Sequence, residues 1–77
     1  MKLSYTDFMS RKKRTTKATV TTDHSASHYG IPVIVLPDGG AVDQMSWALL
    51  GYKVVKCSQE ERVLLAKVFE NFKSMFR

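Results

Sequence analysis

Residues 31–57, IPVIVLPDGGAVDQMSWALLGYKVVKC, decide the fold. Ile31–Leu36 is apolar on both faces, as a central strand covered from two sides is, and Pro32 is tolerated because it stands near the strand's beginning. PDGG, Pro37–Gly40, carries turn chemistry: proline fixes one dihedral, and the glycines accept the positive φ that other residues resist. Apolar spacing then becomes helical from Ala41 to Leu50. Val42, Met45 and Leu49 form one stripe, Trp47 and Leu50 widen it, and Gly51 stands where a C-cap glycine belongs. Tyr52–Cys57 returns as a strand. Residues 37–51 are about the minimum length for a crossover between parallel strands, so the two strands are expected as parallel neighbours. An antiparallel arrangement with the helix as an excursion is the alternative.

Downstream, Ser58 and Glu61 form a capping box, in which each side chain serves the other's backbone N–H. A helix is expected from Gln59 to Phe76. At 100° per residue, Leu64, Leu65, Val68, Phe69, Phe72, Met75 and Phe76 fall on one arc, and Arg62, Lys67, Glu70, Lys73 and Ser74 on the other side.

Upstream, Thr15–Thr22 alternates, with Thr16, Ala18, Val20 and Thr22 on one face, which predicts a half-buried strand. Asp23–Gly30 is small, polar and ends in glycine, as a loop does. Residues 1–10 offer a helical turn through Tyr5, Phe8 and Met9, too short to be stable alone. The expectation is a small α+β domain, ββαβα, over residues 15–77, with a three-stranded sheet packed by a short helix and a long C-terminal amphipathic helix. Residues 1–14 are expected as a flexible basic arm, in which Met9 offers a second candidate translation start.

The 77 residues are 44% hydrophobic and 25% charged, an ordinary globular composition for one domain. No apolar run reaches the roughly 18 residues that a membrane span needs, and IPVIVL is too short and too internal for a signal sequence, so a cytoplasmic protein without a membrane partner is expected. Charge is uneven. Residues 1–22 hold six basic side chains and one acidic, whereas residues 23–77 hold six of each. The whole net charge of +5 therefore sits in the N-terminal segment.

Arg11, Lys12, Lys13, Arg14 and Lys17 are the candidate nucleic-acid-binding residues, because cations on a mobile segment neutralise phosphates without precise geometry. No helix presents the row of Arg, Asn and Gln that reads base edges. Phe69, Phe72 and Phe76 are the candidate protein-interaction residues, since the apolar arc of the last helix is large for a three-stranded sheet to cover. A homodimer or a larger protein complex is the alternative partner. His24 and His28 with Asp23 and Cys57 have zinc-compatible chemistry but lack paired cysteines and a shared helical face. Cys57 before a helix N-terminus has the placement of an activated thiol, although a small buried cysteine is commoner. PDGG lacks the lysine and the full glycine pattern of a nucleotide loop. The sequence thus predicts no catalytic residue, no metal site and no cofactor. It predicts a non-enzymatic accessory or regulatory protein bound to DNA or RNA phosphates, with modulation of a larger partner through the aromatic helix face as the alternative.

Overall fold

The computed structural model describes residues 1–74, so Met75 and Phe76, expected in the last helix, lie outside the described residues. The order is β1 (Lys2–Thr6), β2 (Lys13–Lys17), β3 (Thr19–Thr21), β4 (Val33–Val35), β5 (Ala41–Val42), α1 (Gln44–Leu50), β6 (Lys53–Lys56) and α2 (Gln59–Ser74). The class is α+β, with a short helix and a C-terminal helix. In place of one sheet there are two three-stranded antiparallel sheets, β2-β1-β6 and β3-β4-β5.

IPVIVL supplies the central strand of the second sheet. Ile34 is opposite Val20 on one side and Val42 on the other, and all three are buried. The parallel crossover does not form, because the chain reverses at PDGG. Gly39 adopts φ 88°, the Leu36 N–H donates to the Gly40 carbonyl at 2.9 Å, and Ala41–Val42 pairs back on β4. The helix therefore starts at Gln44, after Asp43 has capped it by accepting from the Ser46 N–H at 2.7 Å. Gly51 ends it in the left-handed conformation, φ 61°.

The N-terminal segment departs most from expectation. Lys2–Thr6 is neither a helical turn nor an arm; it is the middle strand of the first sheet, paired with β2 and β6. Leu3, opposite Thr16 and Val54, is 0% exposed. The expected single strand over Thr15–Thr22 is divided between the sheets at Ala18, a buried residue whose N–H donates to the Met1 carbonyl and whose carbonyl accepts from the Met1 amine, both at 2.9 Å. The inward parity of Ala18 and Val20 survives the division. A chain starting at Met9 would lack β1 altogether.

α2 packs against β3 and buries Leu65 and Val68 in a core with Leu3, Ala18, Val20, Ile34, Val42 and Tyr52. Its capping box forms as patterned: the Ser58 N–H donates to Glu61 Oε1 at 3.0 Å, and the Glu61 N–H to Ser58 Oγ at 3.2 Å. No helix among the described residues is long and apolar enough to cross a membrane.

Leu3→Ala should cost about 2–5 kcal/mol, a large share of the roughly 4–12 kcal/mol available to a domain of this size. Ser58→Ala should cost about 1 kcal/mol by losing the cap. Urea denaturation checks both, and equal midpoints for the two variants would contradict the central place of β1.

Candidate nucleic-acid interface

The first sheet is built from strands of unusual composition. KLSYT, KRTTK and KVVK contain Lys2, Lys13, Arg14, Lys17, Lys53 and Lys56 and no acidic residue. TVT, VIV and AV of the second sheet contain no charge. Residues directly opposite in an antiparallel ladder share a face, and neighbours along a strand alternate. Leu3, Tyr5, Thr16 and Val54 turn to the core side, so the residues between them turn outward.

Pairing then assembles a row. Lys2 faces Lys17 on β2 and Lys56 on β6, so three lysines stand at adjacent positions across three strands. Next along, Ser4 faces Thr15 and Lys53, and Thr6 faces Lys13. A bulge at Val55 adds one residue to β6 between Lys56 and Val54, which leaves Val55 exposed on the open side. All five lysines of this face are exposed. The three-lysine row lines an open cleft of about 920 Å³, together with Thr15, Cys57, Ser58 and the Met1–Glu61 ion pair, in which the Glu61 carboxylate is matched by the Met1 amine at 2.9 Å.

Of the residues expected to bind phosphate, Lys13 and Lys17 belong to this face. Arg14 is on the opposite side of β2, opposite Tyr5, and its Nε donates to Asp7 Oδ2 at 2.8 Å. Arg11 and Lys12 lie in the β1–β2 turn. Lys2, Lys53 and Lys56 were not among the expected residues: strict alternation sets Lys53 and Lys56, three apart, on opposite faces, and only the register shift at Val55 brings both to the side of Lys2.

The turn itself is wired by Asp7. Its N–H donates to the Lys12 carbonyl at 2.9 Å, and its carbonyl accepts from the Arg11 N–H at 2.7 Å. Its carboxylate accepts from the N–H groups of Met9 at 2.9 Å and Ser10 at 3.4 Å. Those two N–H groups, and after them the Arg14 guanidinium, hold the Asp7 carboxyl below the usual carboxylate range. Arg11 takes the left-handed conformation, φ 59°, and Phe8 and Met9 project at the tip, 78% and 92% exposed.

The remaining candidates have other work. Phe69 and Phe72 are half-buried in a chain of rings, with Trp47 centred 5.1 Å from Phe69 and 6.4 Å from Phe72, and Tyr52 and Tyr5 continuing it. Phe76 lies outside the described residues. His24 is a loop latch: its Nε2 meets the Gly39 carbonyl at 2.9 Å while its Nδ1 accepts from the Ala26 N–H at 3.0 Å. These contacts engage both ring nitrogens. His28 is exposed, and Cys57 is a half-buried free thiol.

Compared with known proteins, the chain matches no family model, no curated protein and no solved structure. The geometry is therefore tested on the protein itself. A carboxyl held low in the folded state contributes stability above its unfolded value and loses it as pH falls through the folded one. Asp43 and Glu61 are also held low, Asp43 by the Ser46 N–H and Glu61 chiefly by the Met1 amine. Comparison with Asp7→Asn isolates the turn: its stability deficit at neutral pH should shrink as pH falls below about 4. A deficit constant down to strong acid, followed by circular dichroism, would contradict the assigned role of the carboxylate.

Proposed function

We propose that the protein is a non-catalytic, cytoplasmic accessory or regulatory protein of nucleic acid, which grips the phosphate backbone with the open lysine face of the β2-β1-β6 sheet. The observation that carries this reading is the Lys56-Lys2-Lys17 row, continued by Lys53 and Lys13 on a surface whose strands hold no carboxylate. Like charges directly opposite in a ladder repel and destabilise the pairing. A polyanion lying across the row converts that repulsion into attraction and releases its own counterions.

The face suits backbone contact rather than base reading. Its outward side chains are lysine, serine, threonine and one valine, so it has no aromatic platform on which bases would stack. Arg11 and Lys12 extend the positive surface into the turn. Capture of a partner protein by Phe69 and Phe72 is the weaker reading, because both rings already pack against Trp47.

A variant carrying Lys2→Thr, Lys17→Thr and Lys56→Thr should bind DNA and RNA more weakly, and the slope of log affinity against log salt should fall by about 2.7 on duplex DNA. The same variant should unfold at higher temperature, since two like-charge pairs are gone. Fluorescence anisotropy and thermal melting give the two readouts. Unchanged affinity in a folded variant refutes the reading.

A further inference from the structure

We infer that the β1–β2 hairpin is a wedge for duplex DNA, with Phe8 and Met9 entering between base pairs from the minor groove while the lysine face holds the flanking phosphates. The inference rests on the phosphate-binding reading and adds the form of the nucleic acid and the deformation imposed on it.

The tip combines three properties. It is apolar, with two large side chains almost wholly in solvent. It is held in shape, because Asp7 ties the backbone of Met9, Ser10, Arg11 and Lys12 and the side chain of Arg14. It is followed by cations, with Arg11 and Lys12 in the same turn and Lys13 at the start of β2, while Arg14 is paired with Asp7. Apolar side chains flanked by cations are the means by which minor-groove proteins unstack a base step and kink the duplex. Unstacking needs a side chain carried on a backbone that does not fold away on contact, and the Asp7 network holds the turn backbone that carries Phe8 and Met9.

Charge complementarity selects the partner. From Thr6 to Lys2 the face extends roughly 14 Å along the strands, farther than the Debye length of about 8–10 Å. A flat anionic membrane meeting the tip end-on would leave the three-lysine row beyond the reach of its charge. A long polyanion lying along the hairpin engages the row and the tip together. Among nucleic acids, single strands are held on aromatic platforms, which this face lacks, and duplex RNA presents a wide, shallow minor groove recognised by shape and by 2′-hydroxyl and phosphate contacts rather than by a wedge. B-form DNA offers flexible pyrimidine–purine steps that open toward a minor-groove wedge.

The test uses the whole chain, a duplex DNA of about 25 base pairs with a central TA step and a dye at each end, the same sequence as single strand and as duplex RNA, and vesicles of anionic phospholipid. Wild-type protein should bind the DNA duplex in preference to the other three and raise end-to-end energy transfer. Phe8→Ser with Met9→Ser, both at exposed positions, should leave the melting temperature and the salt slope intact. It should abolish the rise in energy transfer and weaken duplex binding about 10- to 100-fold. Salt-dependent binding without bending, bending that survives the double substitution, or preference for RNA, single strand or vesicles overturns the wedge and leaves phosphate binding standing for the nucleic-acid outcomes. Failure to bind any nucleic acid overturns both.

Discussion

The structure depends on the pairing of β1 between β2 and β6. Leu3, fully enclosed, is the point where a local hairpin and a strand from the far half of the chain meet. The Met1–Ala18 contacts fix where the chain leaves this sheet and enters the other, so the first residues also set the position of β3 and, through it, the seat of α2.

The same pairing produces the charged surface. A strand with period two cannot bury Leu3 and Tyr5 without turning Lys2, Ser4 and Thr6 the other way. Register then aligns Lys2 with Lys17 and Lys56. The cations of a short N-terminal run and two lysines from residues 53–57 become one surface only through strand pairing, although they are distant in the chain. Core and candidate interface are two faces of one ladder.

That dependence explains what could be read in advance. The capping box, Gly51, the turn at PDGG and the amphipathic arc of α2 are encoded in neighbouring residues, and each appears where its residues stand. β1 was hidden because Lys2–Thr6 is short and its partner β6 is remote; Tyr5, Phe8 and Met9 satisfy a helical spacing equally well over so few residues. β5 was hidden because Ala41 and Val42 suit a helix start, and only Asp43 marks the true cap. Of the site, the basic run was legible as charge. Lys2, Lys53 and Lys56 were not, since a lysine counted singly in a strand reads as a solvated position until its cross-strand neighbours are known.

Lysines in strands have a second established use: at a sheet edge they block pairing with another chain. β2 and β6 are the edges of the first sheet, so edge protection would account for Lys13, Lys17, Lys53 and Lys56 without any ligand. It does not account for Lys2. β1 is the central strand, both of its ladders are occupied, and no edge is there to protect. A threonine at that position would have the higher strand propensity and would remove two repulsive neighbours at once. Lys2 is thus the residue at which like-charge neighbours on both sides oppose the strand pairing, and edge protection does not explain why it is a lysine.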